Sequence, residues 1–204
     1  VIFNMNPGKP TSGWNQIMTL PRRLTVDGDE VSTVPAGDLE SLRVNGQHFN
    51  DIRLPKNQEV VLESIQGNAM EFQVEIDPGT APMIEMNVLR SPEKEEYTRI
   101  AFFRNRGFRG QSLVTIDTSY ASTAGDVQCR APETGPLSLD IDEPLKMRVF
   151  VDKSVVEVFV NGKQCVATRV YPDRKDSLGI SFRSQGLDSR IRSLDAWEMQ
   201  SIWT

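Results

Sequence analysis

The feature that most constrains this chain is a strict two-residue alternation. Residues 69–77 read AMEFQVEID, with Met70, Phe72, Val74 and Ile76 on one side and Glu71, Gln73, Glu75 and Asp77 on the other. Successive side chains of a strand point to opposite faces, so this segment is expected as a strand with one buried and one wet face. Val60 and Leu62 continue the theme more weakly, because Val61 interrupts the polar side. Further strand-like runs cover 84–89, 97–103, 113–117, 147–151, 155–160, 164–171, 179–183 and 194–203. Turn-forming residues separate them at Asp77-Pro78-Gly79, Ser91-Pro92, Asn105-Arg106-Gly107, Asn161-Gly162 and Pro172-Asp173.

Many short strands at close spacing, with almost no helical periodicity, imply an all-β chain. The expected architecture is a two-sheet antiparallel β-sandwich of jelly-roll or lectin-like type, with a closed barrel as the alternative. One stretch breaks the alternation. Residues 34–43 (VPAGDLESLR) carry Pro35 near the start and Leu39 and Leu42 three apart, which predicts a short helical turn where a linker would lie.

A length of 204 residues suits one large all-β domain or two small ones. The net charge of −5 repels phosphate backbones, so nucleic acid is not an expected partner. No apolar run approaches the roughly 20 residues that span a bilayer, so no membrane segment is expected. Cys129 and Cys165 are the two cysteines; they read as buried free thiols, a single bridge being the alternative. The chain opens on Val1-Ile2-Phe3 without an initiator methionine, and so reads as a fragment or processed product whose targeting segment would lie upstream. Secretion and cytoplasm both stay open.

Residues 145–163 (LKMRVFVDKSVVEVFVNGK) predict two strands and a tight turn, then a second turn at Asn161-Gly162 with positive φ angles, giving a three-stranded meander that ends at Tyr171. Asp152 and Glu157 invite a reading as paired catalytic carboxylates. They are five apart across a turn, however, and nothing local aims them at a shared substrate. Asp152 and Ser154 are expected to serve the turn through side-chain hydrogen bonds, and Glu157 to make a charge or rim contact. His48 is the single histidine, which excludes histidine triads and multi-histidine metal sites; a surface or strand-edge position is expected. Arg104, Arg106 and Arg109 form a basic loop suited to an anion, or to solvent or an inter-domain ion pair. Trp14, Trp197 and Trp203 are candidates for stacking on sugar rings or for closing the end of a sandwich.

The run FVDKSVVEVFVNG (150–162) resembles the C-terminal β-sandwich signature of glycoside hydrolase family 32, the invertase, levanase, inulinase and fructosidase family. Three other segments agree in order and spacing. GWNQIMTLPRRL (13–24) is similar to the segment where that family's catalytic propeller ends, 34–43 to the linker that follows, and IDTSYAS (116–122) to its IDRSxS strand end, with Thr118 in place of arginine. RVYP (169–172) and the Trp197 to Trp203 terminus also fit.

The resemblance implies a parent that cleaves β-fructofuranosides such as sucrose, inulin or levan with retention of configuration, through a fructosyl-enzyme intermediate. It also implies that the chemistry lies elsewhere. The family's Asn-Asp-Pro-Asn-Gly, Arg-Asp-Pro and Glu-Cys motifs belong to a five-bladed propeller and are absent from this sequence; Asp77-Pro78 reads as a turn. No catalytic residue, metal ligand or cofactor is therefore assigned within the chain. The expected division is 1–24 as the remnant of the last propeller blade, 25–45 as linker, and 46–204 as sandwich. The implied partner is the propeller of the same protein, with the sandwich stabilising it. A carbohydrate-binding role toward fructo-oligosaccharides and a role in homo-oligomer assembly are the alternatives.

Overall fold

A computed structural model describes residues 4, 5, 9, 16–128, 130–140 and 142–202. Two short paired strands, β1 (Asn4–Met5) and β2 (Ile17–Met18), come first, followed by a hairpin of β3 (Arg22–Asp27) and β4 (Glu30–Pro35). A 3-10 turn at Glu40–Leu42 leads into β5 (Arg43–Leu54), β6 (Glu59–Gln66), β7 (Ala69–Asp77), β8 (Met83–Arg90), β9 (Thr98–Phe103) and β10 (Ser112–Asp117). After a long connection come β11 (Glu133–Leu137), β12 (Leu145–Asp152), β13 (Val155–Val160), β14 (Gln164–Arg169), β15 (Gly179–Gln185) and β16 (Ser189–Met199).

The last twelve strands form two antiparallel sheets of six, ordered β14-β13-β12-β7-β16-β5 and β11-β10-β9-β8-β15-β6. The sheets remain separate, so the architecture is the expected sandwich rather than a barrel. The core lies between them. Met70, Phe72, Val74 and Ile76 of β7 face inward as the alternation predicts, opposite Ile84, Ile100, Phe102 and Phe182. Met147, Val149 and Val151 of β12 and Val156, Val158 and Val160 of β13 extend the same layer. The predicted meander is present, with β12, β13 and β14 adjacent.

Its first turn differs from expectation. Among the described residues neither Asp152 nor Ser154 makes a side-chain hydrogen bond; the chain reverses because Lys153 takes a left-handed conformation (φ +50°). In the second turn Asn161 (φ +50°) and Gly162 (φ +66°) supply the two positive angles, closed by the Lys163 N–H donating to the Val160 carbonyl at 2.9 Å. The helical turn expected over 34–43 is shorter than predicted. Val34 and Pro35 complete β4, and only Glu40–Leu42 coil.

Two irregularities matter later. β5 is an edge strand in which Asn45 (φ +51°) and Asp51 (φ +61°) are left-handed. In β8, Leu89 (φ +49°) marks a bulge: Arg90 pairs with Gly179 and Asn87 with Ser181, so Val88 and Leu89 together face one residue of β15. Both enter the core, and the extra residue returns Arg90 to the outer face that Asn87 already occupies.

Candidate functional site

The outer face of the β14-β13-β12-β7-β16-β5 sheet is not the wet surface that alternation predicts. Ala167, Glu157, Phe150, Glu71 and Trp197 lie side by side across five strands. Phe150 and Phe159 are buried although they point away from the core, meeting edge to face with centroids 6.1 Å apart. Glu71, expected to be wet, is completely covered. Arg43 grips it bidentately (2.9 and 2.6 Å) and Arg148 donates a third bond at 2.7 Å. The two guanidinium groups hold its carboxyl below the usual range against the opposing effect of burial. Arg43 also lies over the Trp197 ring, 4.0 Å from its centroid, so one face of that indole is occupied by protein.

The N-terminal segment covers this sheet at Glu157. The Leu20 N–H donates to Glu157 Oε1 at 2.6 Å and Arg22 donates to Oε2 at 3.0 Å. Arg22 also sits over Phe159, 5.6 Å from the ring centroid. Burial pushes the Glu157 carboxyl up despite these partners. A few residues on, the Thr33 N–H of β4 donates to the Gly162 carbonyl at 2.7 Å. Ser32 and Val34 approach Gly162, while Leu24, Val26 and Val31 of the same hairpin are exposed, as is Met18 of β2. Between hairpin and sheet runs a groove of 580 Å³ whose walls include Val34, Gln73, Glu75, Lys146, Arg148 and Asp195.

Chemically, this arrangement fastens one segment to a sheet. Glu157 is committed to Leu20 and Arg22, and Asp152 is exposed at the hairpin end, so the two do not form a working pair. His48 stands on the edge strand β5, hydrogen-bonded to Asp195 at 2.6 Å and Asn50 at 2.7 Å. Arg106 and Arg109 are exposed, whereas Arg104 turns inward and is buried, with Nε and Nη2 lacking a partner among the described residues. Cys165 is a half-buried free thiol pushed up to about 12 by burial, which keeps it protonated near neutral pH. Trp14, Trp203 and Cys129 lie outside the described residues. Among the described residues no cluster of His, Cys, Asp or Glu is arranged to hold a metal, and no helix is long and apolar enough to cross a membrane.

Sequence reasoning missed the partners of Glu157, because a backbone N–H 137 positions away leaves no local signal. It also missed Glu96, a fully buried carboxylate that accepts from the backbone N–H groups of Thr123, Asp173 and Arg174 and from the Ser177 hydroxyl. That carboxylate ties three loops together at one end of the sandwich.

Comparison with known proteins places this geometry. Residues 38–198 match the family profile described as Glycosyl hydrolases family 32 C terminal. The chain is 28% identical over 201 residues to a levanase of Bacillus subtilis, covering 95% of this chain and 29% of that protein. It is 25% identical over 228 residues to beta-fructofuranosidase 1 of Zea mays, covering 94% and 34%. The chain thus spans about a third of these relatives. In fold it matches the crystal structure of fructan 1-exohydrolase IIa from Cichorium intybus with a TM-score of 0.87 at 17% identity, over 98% of this chain and 45% of that one. With its two six-stranded sheets and the matched profile, the chain belongs to glycosyl hydrolase family 32, as that family's C-terminal domain.

Proposed function

We propose that this chain is the non-catalytic sandwich of a retaining glycosidase acting on β-fructofuranosides, and that it stabilises a catalytic propeller preceding it in the same protein. The observation that carries this reading is the two-sided N-terminal segment. One side is fastened to the sandwich through Glu157 and Gly162, while Met18, Leu24, Val26 and Val31 are left in solvent. Exposed apolar side chains on β2 and on the β3 and β4 hairpin suit a surface that another domain covers. In this division residues 1–24 are the last propeller strands and 25–45 the linker. The levanase and fructofuranosidase relatives, each roughly three times as long, support the substrate class.

The test compares the full-length protein with the 204-residue chain on sucrose, inulin and levan. Hydrolysis with net retention by the full-length protein and none by the chain is the expected result. Hydrolysis by the chain alone, abolished by a point change within it, would overturn the proposal.

A further inference from the structure

At the end of the sandwich tied together by Glu96, three loops from distant parts of the chain meet around a cavity of 480 Å³. They are the turn between β6 and β7 at Gly67-Asn68, the turn between β12 and β13 at Lys153-Ser154, and the connection from β14 to β15 over 170–178. Backbone hydrogen bonds lock them to one another. The Lys153 N–H donates to the Asn68 carbonyl at 2.6 Å, the Gly67 N–H to the Leu178 carbonyl at 2.9 Å and the Val170 N–H to the Ser154 carbonyl at 3.0 Å. Glu96 fixes the third loop by accepting from the N–H groups of Asp173 and Arg174 and from the Ser177 hydroxyl. Lys9 of the N-terminal segment joins the lining, paired with Asp126 at 3.0 Å.

Two residues of the lining hold a left-handed backbone without being glycine: Lys153 (φ +50°) and the buried Leu89 of the β8 bulge (φ +49°). Strain of that kind persists where surrounding structure enforces it, and it gathers with bulges beside functional sites. The charges of the lining also run against those of the chain. The sequence carries 28 acidic and 23 basic side chains, yet Lys9, Lys153, Arg174 and Lys175 line the cavity with Asp173 as the one carboxylate among the described residues. Lys9 is held by Asp126, and Arg174 by Glu95 and Asp176. Asp173 accepts from the Thr123 hydroxyl at 3.3 Å. Lys153 and Lys175 are exposed and have no ion pair among the described residues, and the side chains of Asn68 and Ser154 make no hydrogen bond there.

We propose that this cavity binds a phosphate group, free or carried on a small molecule, with Lys153 and Lys175 supplying the charge and Ser154 and Asn68 further hydrogen-bond donors. A phosphate group carries about 1.5 to 2 negative charges near neutral pH, which matches two unpaired ammonium groups. A carboxylate would leave one of them uncompensated, and a neutral ligand both. Lysine recognises phosphate as a point charge, and a hydroxyl and an amide can serve the oxygens that remain. The locked loops lower the ordering cost of binding. A volume of 480 Å³ falls within the range of small-molecule sites, and Leu89, Val170 and Pro172 give the walls an apolar part, so the body of a phosphorylated molecule has room beside the group itself. The inference needs only the sandwich end and Lys9, and so stands apart from the parent reading above.

The experiment is a titration of the whole 204-residue chain, followed by amide NMR at neutral pH and constant ionic strength, with inorganic phosphate, glucose 6-phosphate, glucose and acetate. The expected result is saturable shifts at Asn68, Lys153, Ser154 and Lys175 with phosphate and none with glucose. Raising the sodium chloride concentration should weaken them. Lys153→Gln and Lys175→Gln should each weaken phosphate binding about tenfold. Lys56→Gln, which removes the same charge from an exposed position elsewhere, should leave it unchanged. Melting temperature without phosphate separates lost binding from lost fold. Tighter binding of glucose 6-phosphate than of inorganic phosphate assigns the site to a phosphorylated molecule, equal or weaker binding assigns it to the free anion, and both uphold it. No shift at tens of millimolar phosphate, an equal response to acetate, shifts confined to other surfaces, or an equal loss in Lys56→Gln would overturn the proposal.

Discussion

Glu157 and Glu59 are both carboxylates on β-strands facing away from the core, and their surroundings drive them in opposite directions. Glu157 lies on the covered face, where burial raises its carboxyl although Leu20 and Arg22 are bound to it. Glu59 lies on the open face, where Arg90, Lys94 and Ser181 outweigh burial and bring it from 4.5 to about 2. One face spends charge to fasten a segment of its own chain. The other pairs its carboxylates with cations of its own sheet and loops. The difference shows that the same alternation, apolar in and polar out, builds either an internal joint or a self-paired polar face, depending on whether another element lies across it.

The largest effect should come from removing the most enclosed carboxylate of the covered face. Glu71→Ala strands Arg43 and Arg148 and should cost about 3 kcal/mol in urea denaturation; a loss close to zero would mean that this face is wet after all. Glu157→Ala removes the carboxylate that accepts from the Leu20 N–H and from Arg22, at about 2 kcal/mol. In the full-length protein it should also shorten the thermal half-life of hydrolysis without changing the initial rate; an unchanged half-life would break the link between the latch and the propeller.

The pH dependence separates the faces further. Glu157 holds its proton more tightly in the fold than in the unfolded chain, so its contribution is full at low pH and declines as pH rises from the ordinary glutamate range through its raised value. Glu59 behaves the other way: its contribution is present above 4.5 and is lost as pH falls toward about 2. Glu157→Gln should flatten the first decline and Glu59→Gln the second in denaturation series across pH. Identical profiles for the two variants would erase the distinction. The smallest effect belongs to an exposed pair at the sheet border: Arg53→Ala, removing the contact to Asp188, should leave the urea midpoint unchanged.

The parts of the fold legible in the sequence are those where burial and alternation coincide. β7, β12 and β13 read clearly because their inner faces are uniformly apolar. β5 was invisible, since RVNGQHFNDIRL mixes Asn, Gly and Asp into an edge strand whose packing asks little of its side chains. The β3 and β4 hairpin was hidden inside a segment read as propeller remnant and linker, although Asp27-Gly28 is itself a hairpin signal and Gly28 has a positive φ. β11 was masked by Pro136 and Gly135. The site was less legible than the fold. That Glu157 makes a charge contact could be argued from its place among valines, but its partners come from the far end of the chain.

β5 has a further consequence. A strand of 12 residues at the border of a sheet offers a ready template for a second molecule. Here Asn45 and Asp51 each twist the backbone into a left-handed kink, so a neighbour laid alongside would meet two interruptions in its ladder. The two residues that look like flaws in the strand are therefore the points at which added pairing along this border would break.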